Sequence, residues 1–215
     1  MRRRDQVRRA DQIYSQKYLE ESCMKEDPME EFSTQLELAT AVYGDEATIM
    51  SLSTVCARLR PHSRMVLLKK QEGRQFFFYS QYRSQKAREI EFSPFGALLF
   101  FWPCLGKQIR VEGPIAKTTR SDSMAYFCSR PRDSQIGAWA STQSEAIASR
   151  DVLEARVAEF ETRFAAGSVP YPPHWGGYRL TATHVEFWQG RPARLHDRIA
   201  YTYRKNGWTQ ARLCP

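Results

Sequence analysis

Apolar residues recur at helical spacing in one early segment, which therefore has a single apolar face. That face comprises Met29, Phe32, Leu36, Ala39 and Tyr43. Asp27 is a favourable N-cap, and Pro28 suits the first helical position because its missing N–H would be unpaired there anyway. Gly44 is a typical helix stop, so we predict one helix between these residues.

Most other apolar segments are short and rich in aromatic and β-branched residues, which is typical of strands. We predict strands at 48–54, 64–69, 75–80, 97–102, 108–116, 178–182, 184–189, 198–203 and 208–213. Gly73 predicts a hairpin that joins the second and third of these strands, and Asn206-Gly207 predicts another before the last. Further helices are predicted at 84–91, 121–129 and 151–164.

Short strands interrupted by a few helices predict a mainly β (α+β) fold, an antiparallel barrel with peripheral helices. The alternative, a doubly wound parallel sheet, needs a regular alternation of strands and helices and a GxGxxG motif, and the sequence has neither. The length of 215 residues suits one domain with an N-terminal arm. We place the arm, expected to be partly flexible, at residues 1–26 and the domain at 27–215.

The net charge of +8 predicts an anionic partner: nucleic acid, a membrane surface or a phosphorylated ligand. The sequence contains no nucleic-acid reader motif, and no apolar run approaches the roughly 18 residues that span a bilayer. We therefore expect neither nucleic acid nor membrane as a partner. A solvated basic face is the alternative explanation of the charge.

The five cysteines are dispersed, without a CxxC pair or a metal-ligand spacing. The N-terminus is positively charged but has no apolar region behind it, so it does not resemble a secretory signal. Together these features predict reduced thiols, a cytoplasmic location and no bound metal.

Arg64 and Lys69 form the first of three candidate functional clusters, with Lys86 following at a predicted helix start. Alternation along a regular strand predicts that Arg64 and Lys69 lie on opposite faces and contact different ligand groups. Both residue types suit phosphate, Arg by gripping two oxygens and Lys as a point charge. Ordinary surface charge is equally compatible with this spacing.

The second cluster is the segment 126–139, which is dense in hydrogen-bond donors. These donors are Tyr126, Ser129, Arg130, Arg132, Ser134 and Gln135. Their crowding next to Gly137 and Trp139 predicts a ligand-binding loop. A helix end with caps and a turn is an equally good interpretation.

Arg194, His196 and Arg198 form the third cluster and occupy alternate positions. We predict that they share one face of an extended segment. A row of cationic and polar side chains is costly unless water or an anion meets it, so this row favours a site over a structural role.

With these stretches the sequence resembles the pyridoxine (pyridoxamine) 5'-phosphate oxidase family. The matching stretches are residues 64–69, 129–139, 175–178, 186–190, 194–198 and 212–215. They occur in the family's order, and the similarity extends with gaps from about Tyr14 to the C-terminus. The resemblance implies an FMN-binding split β-barrel that forms a homodimer, with the cofactor in a groove between the two subunits.

The resemblance also implies which residues bind FMN. They are Arg64, Met65, Val66, Leu67, Leu68, Lys69, Tyr79, Ser80, Gln85, Lys86, Gln108, Gln143, Ser144, Trp188 and Arg198. Arg64 and Lys86 would hold the phosphate. Four of the residues would come from the other side of the groove: Gln143, Ser144, Trp188 and Arg198.

The substrate site follows from the same resemblance and comprises Tyr14, Lys69, Tyr126, Arg130, Ser134, Arg194 and His196. Arg194 and His196 would be catalytic, near C4' of the pyridine ring, and Tyr14 would belong to a lid formed by the arm. The implied reaction oxidises pyridoxine or pyridoxamine 5'-phosphate to pyridoxal 5'-phosphate. A hydride passes from C4' to flavin N5, and O2 reoxidises the flavin to give H2O2.

Alternatives from other classes remain open. Gln85 stands where the family usually has arginine, which favours a paralogue that binds FMN or pyridoxal 5'-phosphate without efficient turnover. The intact 194–198 motif favours the oxidase. A flavin reductase with another substrate is disfavoured by the retained phosphate residues Lys69 and Arg130, and a nucleic-acid module is the least favoured hypothesis.

Overall fold

The computed structural model describes residues 19–215, so the predicted lid residue Tyr14 lies outside the described residues. Within this range there are five helices: α1 (Pro28–Tyr43), α2 (Gln85–Phe92), α3 (Arg120–Ser129), α4 (Arg132–Ala140) and α5 (Arg150–Arg163). None of them is long and apolar enough to cross a membrane. The strands are β1 (Ile49–Val55), β2 (Pro61–Leu67), β3 (Lys70–Glu72), β4 (Gln75–Gln81), β5 (Phe95–Trp102), β6 (Lys107–Lys117), β7 (Trp175–Thr181), β8 (His184–Gln189), β9 (Asp197–Arg204) and β10 (Gly207–Arg212).

All the strands pair antiparallel, in a sheet whose main order is β10-β9-β8-β6-β5-β1-β2. The long strand β6 also pairs with β7 through Ile115 to Lys117, and β7 pairs in turn with β4. A Cβ at Gly113 would lie only 1.9 Å from the carbonyl oxygen of Thr181, so a glycine is needed for β7 to approach β6. The result is a curled antiparallel half-barrel with peripheral helices, which confirms the predicted fold class.

Helix α1 begins and ends where its sequence predicts. The Asp27 carboxylate accepts a hydrogen bond from the Met29 amide at 2.9 Å, and the helix ends at Gly44, whose φ is +58°. Its buried face carries Phe32 into the curl of the sheet, where the ring packs edge-on against Phe76 and Phe100 at 4.9 and 5.1 Å. Aromatic pairs of this geometry stabilise a core beyond their buried area.

The predicted hairpin between 64–69 and 75–80 is wrong. Strand β2 pairs along its whole length with β1, and only the three-residue β3 pairs with β4. The amide of Leu68 donates to the Thr48 carbonyl, and the amide of Lys69 donates to the Phe77 carbonyl, both at 2.9 Å. The chain therefore crosses from one part of the sheet to the other directly after β2.

The donor-rich segment 126–139 is two helices rather than a loop, which agrees with the alternative interpretation. Helix α3 ends at Ser129 and α4 begins at Arg132. The Gln135 amide donates to three carbonyls at the end of α3, those of Phe127, Cys128 and Arg130, at 2.9–3.2 Å. These bonds satisfy carbonyl groups that the ending helix leaves unpaired, so Gln135 fixes the angle between the helices.

Two hydrophobic cores result from this arrangement. The larger fills the curl of the sheet, and the smaller lies between β7 and helices α3 to α5. The smaller core consists of Phe127, Ile136, Ala138, Val169 and Trp175. Strand β4 borders both cores: Phe76 and Phe78 belong to the larger one, and Tyr79 packs against the smaller one. Phe77 is also buried but belongs to neither core, and the Lys70 ammonium lies 5.6 Å from the centre of its ring.

Candidate active site

A cavity of about 1120 Å³ opens between β2, β4, the start of α2 and the α3–α4 pair. Small-molecule sites usually span roughly 300–1,000 Å³, so this cavity has room for a nucleotide-sized ligand and a second small molecule. It is lined by fourteen of the predicted site residues: Arg64, Met65, Val66, Leu67, Lys69, Tyr79, Ser80, Gln85, Lys86, Tyr126, Arg130, Ser134, Gln143 and Ser144. Two clusters that are far apart in sequence therefore meet in one site.

Arg64 and Lys86 make one part of the lining cationic. The Arg64 guanidinium pairs with the buried carboxylate of Glu89 at 3.0 Å. The Lys86 ammonium donates to Gln143 Oε1 at 2.7 Å and to Ser80 Oγ at 3.1 Å. Burial, together with the neighbouring charge of Arg64, lowers the pKa of Lys86 to about 8.

No carboxylate of residues 19–215 lies within ion-pair distance of Lys86. A buried cation without a counter-ion is unfavourable unless an anion joins it. This part of the cavity therefore fits a phosphate group.

Arg130 provides a second cationic part of the lining. Its guanidinium lies 4.6 Å from the centre of the Trp175 ring, and burial lowers its pKa. Its Nη1 atom is buried and has no hydrogen-bond partner among the described residues. An orphaned guanidinium nitrogen beside the hydroxyls of Tyr126 and Ser134 again fits an anion with several oxygens.

Flat aromatic rings join these polar parts. The rings of Tyr79 and Tyr126 stack with centroids 3.8 Å apart, and Tyr79 stacks on Trp175 at 5.5 Å. Burial raises the pKa of Tyr79, so this phenol stays neutral at ordinary pH. The stack gives the cavity a planar wall of the kind that suits an aromatic ligand.

Lys69 lines the same cavity as Arg64, so the prediction that they occupy opposite faces is wrong. The alternation fails because β2 ends at Leu67 and the backbone of Lys69 bonds to β4 instead. Leu68, a predicted cofactor residue, is absent from the cavity lining and is buried in the larger core.

The lining does not include five other predicted residues: Gln108, Trp188, Arg194, His196 and Arg198. Gln108, Trp188 and Arg198 are direct neighbours across β6, β8 and β9. Arg198 is held there by both oxygens of Glu186, at 2.6 and 3.1 Å, and by the Cys214 carbonyl at 2.8 Å. These residues form a second polar group on another part of the sheet.

Arg194 does not share an extended row with His196 and Arg198, contrary to the prediction. A turn at Pro192–Arg194 precedes β9, and both Ala193 and Arg194 have positive φ, +55° and +61°. Two consecutive non-glycine residues in this region cost energy, and such strain is concentrated at functional sites.

A hydrogen bond and a ring contact hold the His196 side chain at the end of this turn. Its Nδ1 atom accepts a hydrogen bond from the Arg191 amide at 3.0 Å, and its ring lies 4.6 Å from that of Trp188. Burial, together with the charge of Arg194, lowers the pKa of His196. The neutral ring therefore carries its proton on Nε2, which makes Nε2 a donor.

Sequence reasoning missed three residues that organise these groups. Glu89 is a buried carboxylate that binds Arg64, and His62 lines the cavity beside them. The only sequence signals were the position of His62 two residues before Arg64 and that of Glu89 one helical turn after Gln85. Asp197 is the third, and its carboxylate binds Arg191, Arg212 and the Leu19 amide.

Comparisons with known proteins agree with this geometry. A family model described as pyridoxamine 5'-phosphate oxidase matches residues 37–164, and one described as the pyridoxine 5'-phosphate oxidase C-terminal dimerisation region matches residues 175–215. A pyridoxine/pyridoxamine 5'-phosphate oxidase of Cytophaga hutchinsonii is 47% identical over 94% of this chain and 95% of its own. Its namesake from Burkholderia thailandensis is 46% identical, with the same coverage.

Solved structures give the same result for the fold. PhzG from Burkholderia lata 383, in complex with tetrahydrophenazine-1-carboxylic acid, is 26% identical with a TM-score of 0.87, over 94% of this chain and 98% of its own. A pyridoxamine 5'-phosphate oxidase-related, FMN-binding protein from Nostoc punctiforme shares the fold with a TM-score of 0.70 at 16% identity, over 87% and 97% of the two chains. From the matching family models and the near-complete coverage at almost half identity, we conclude that this chain belongs to the pyridoxamine 5'-phosphate oxidase family of oxidoreductases.

Proposed function

We propose that this protein oxidises pyridoxine 5'-phosphate and pyridoxamine 5'-phosphate to pyridoxal 5'-phosphate with FMN as cofactor. The observation that carries the proposal is the presence of two separate cationic groups in one cavity, Lys86 with Arg64 and Arg130 with the hydroxyl-bearing Tyr126 and Ser134. A phosphate ester carries about −1.5 to −2 charges, so two such groups match two phosphorylated molecules bound together. The names of the relatives, which are pyridoxine/pyridoxamine 5'-phosphate oxidases, support the phosphorylated substrate of this pair.

FMN would occupy the part of the cavity around β2 and β4. Arg64 and Lys86 would hold its phosphate, and Val66, Tyr79 and Gln143 would lie along the rest of it. When bound, FMN would supply the redox chemistry, which is oxidation of the substrate at C4' by hydride transfer with O2 as the final electron acceptor and H2O2 as the second product.

The substrate phosphate would be bound by Lys69, Tyr126, Arg130 and Ser134. Arg130 can contribute the buried donor that nothing else in the described chain satisfies. His196, with its proton on Nε2, would donate to the C4' substituent and orient it, and Arg194 would add charge beside it. In this proposal the two residues orient the reacting carbon rather than bind phosphate.

A homodimer would complete the site, because one chain leaves an apolar sheet face exposed. Met65, Leu67, Leu99 and Phe101 lie on strands β2 and β5 with 37–63% of their surface exposed. Cross-strand pairing continues this face: Phe101 pairs with Gln108, Gln108 with Trp188, and Trp188 with Arg198. Residues paired in this way lie on the same face of a sheet, so Gln108, Trp188 and Arg198 share the face of Phe101. Met65 and Leu67 also line the cavity, so this exposed face continues into it.

A second copy docked on this face would bring its Trp188 and Arg198 to that cavity. A two-fold dimer uses the same patch on both subunits, so each copy would complete the other's site. The match of residues 175–215 to a dimerisation region supports this arrangement.

The alternative, a paralogue that binds the ligands without efficient turnover, is favoured by one observation. Gln85 lines the cavity beside Arg64 and brings no charge to the phosphate. The described chain nevertheless retains the other predicted phosphate residues in one cavity, so we prefer the oxidase.

Aerobic incubation of the purified apoprotein with pyridoxine 5'-phosphate, with and without FMN, tests the proposal. We expect the aldehyde product, measured by its absorbance, and H2O2 to accumulate in equal amounts, and only when FMN is present. An Arg130→Ala variant should raise KM far more than it lowers FMN affinity. Tight FMN binding without any aldehyde would instead establish the non-catalytic paralogue.

A further inference from the structure

His62 lines the end of the cavity where Arg64 and Lys86 would bind the FMN phosphate. The proposed function gives His62 itself no role. It precedes Arg64 by two positions on β2, so both side chains point to the same face of the strand. Its side chain is 38% exposed and lines the cavity together with Arg64 and Gln85.

Glu89 of α2 holds this group of side chains together. Its carboxylate accepts hydrogen bonds from four of them: Thr54, His62, Arg64 and Gln85. Burial alone would raise the pKa of Glu89, but these four bonds outweigh it and lower the pKa to about 2. Glu89 is therefore an anion throughout the physiological range.

The contact with Glu89 decides the state of the His62 ring. Nδ1 lies 2.6 Å from Glu89 Oε1, and an ionised carboxylate only accepts, so Nδ1 carries a proton. The Nε2 atom has no hydrogen-bond partner among residues 19–215. One additional proton, on Nε2, would make the ring a cation with a donor available to a ligand in the cavity.

The side chains at this end of the cavity carry less net positive charge than a phosphate carries negative charge. Glu89 offsets the charge of Arg64, Gln85 is neutral, and Lys86 contributes a single positive charge. A phosphate ester with about −1.5 to −2 charges needs a further cation. Apart from Lys86, whose single charge is already counted, His62 is the described residue lining this end that can become a cation.

We propose that His62 is a ligand of the FMN phosphate and that its doubly protonated ring supplies the cation that Gln85 does not. The proposal rests on the proposed function, since it assumes that the anion is the phosphate of FMN. The groups that face His62 are Glu89 and Gln85 of α2 and Thr54 of β1, with Arg64 beside it on β2.

This arrangement makes FMN affinity depend on pH. Uptake of a proton by the His62 ring belongs to the proposal, so we expect the advantage of wild type over a variant without the imidazole to be larger at pH 6 than at pH 8.5. Lys86 and the FMN phosphate also titrate, but they do so equally in a variant that lacks the imidazole. The difference between wild type and variant therefore isolates His62.

The test measures dissociation constants of FMN and riboflavin from the apoprotein by flavin fluorescence quenching, from pH 5.5 to 8.5. We expect His62→Gln to weaken FMN binding about tenfold at pH 6 and less than about twofold at pH 8.5. Riboflavin, which lacks the phosphate, should bind both proteins alike. Arg88→Gln removes a charge from the same helix but away from the cavity lining, and should leave FMN affinity unchanged.

Two further measurements keep the proposal testable if His62→Gln folds poorly. In the double variant His62→Gln, Gln85→Arg, a permanent charge should restore FMN affinity and abolish the difference in pH profile. NMR of the imidazole nitrogens in the wild-type protein, which has four histidines, should show His62 becoming doubly protonated when FMN is added at pH 7.5.

The outcomes separate the two proposals. If the wild-type apoprotein bound neither flavin, the proposed function would fall and this inference with it. If it bound FMN tightly but His62→Gln bound equally well at every pH, only the role of His62 would be wrong. An imidazole that stays singly protonated in the FMN complex would overturn it in the same way.

Discussion

The cavity and the C-terminal group around Arg194 and His196 differ in how much of a site one chain builds. In the cavity, residues from β2, β4 and three helices converge, and hydrogen bonds such as that from Lys86 to Gln143 tie them together. The C-terminal group is held equally firmly, but it lies on the sheet face that continues from Phe101 to Arg198. We therefore propose that the first region binds ligands by itself, whereas the second contributes to the site of the other subunit.

Subunit complementation is the strongest test of whether the cavity of one chain works with the C-terminal group of the other. We expect that Arg130→Ala, which damages the cavity, and Arg194→Ala, which damages the C-terminal group, each abolish most activity when expressed alone. In a mixed dimer, the intact cavity of one chain would meet the intact C-terminal group of the other. Equal mixing should then recover about a quarter of wild-type activity, since half the dimers are mixed and each has one complete site.

The control is a mixture of two cavity variants, Arg130→Ala with Lys69→Ala, which should recover nothing. Tagging the two chains differently and purifying the mixed dimer gives the cleaner measurement. Failure of that purified dimer to regain activity, while it still binds FMN, would mean that cavity and C-terminal group act within one chain.

Asp197 gives a second, smaller test, which concerns the C-terminal group alone. Its carboxylate accepts from the Arg212 guanidinium at 2.9 Å and from the Leu19 amide at 3.2 Å, and it lies 3.7 Å from the Arg191 guanidinium. Because Arg191 also donates its amide to His196, Asp197 acts as a positioning residue for that ring. We expect Asp197→Ala to lower kcat roughly 10–100-fold by misplacing the ring, with KM and FMN affinity nearly unchanged.

Glu21→Ala is the matched control for Asp197. Glu21 is the other carboxylate that binds Arg212, at 2.5 and 2.8 Å, but none of its hydrogen bonds or ion pairs in the described chain reaches His196 or Arg191. Its loss should leave kcat within about twofold, because exposed ion pairs contribute little. Equal losses of kcat in the two variants would point to general destabilisation instead of positioning.

The sequence predicted best those features that depend on neighbours along the chain. The start of α1 at Asp27 and its end at Gly44 follow from capping. The last hairpin also forms, although its two loop residues are Lys205 and Asn206, one position earlier than predicted. Gly207 then adopts the positive φ of +104° that a glycine tolerates.

Features set by distant contacts were predicted wrongly or not at all. The choice of β1 as the partner of β2 and the direction of Lys69 depend on hydrogen bonds to Thr48 and Phe77, which no local pattern reveals. The cationic residues that line the cavity could be proposed from the sequence, because arginine and lysine are the residue types that suit a phosphate. The role of Glu89 was not, since it follows from the packing of α2 against β1 and β2.

The smallest predicted effect is a pH dependence of FMN affinity that comes from Lys86, and it involves the cavity alone. Its pKa of about 8 means that the apoprotein loses this charge as pH rises through 8, well below the usual value of 10.5. We expect FMN to bind about tenfold more weakly at pH 9 than at pH 7, since each pH unit above the pKa removes most of the cation. The same loss of FMN affinity between pH 7 and pH 9 should occur in Arg194→Ala, because the C-terminal group does not contribute to it.

Lys86→Arg keeps the positive charge at every accessible pH, so its FMN affinity should be nearly the same at pH 7 and pH 9. Apoprotein stability should change in the opposite direction. Between pH 8 and 10.5 the unfolded chain binds more protons at Lys86 than the native chain does, so the free energy of unfolding rises with pH. Affinity that falls while stability rises over one pH range is the signature of a cation buried to receive an anion. If wild-type FMN affinity were constant up to pH 9, Lys86 would keep its charge without FMN, and the electrostatic argument for this part of the cavity would be wrong.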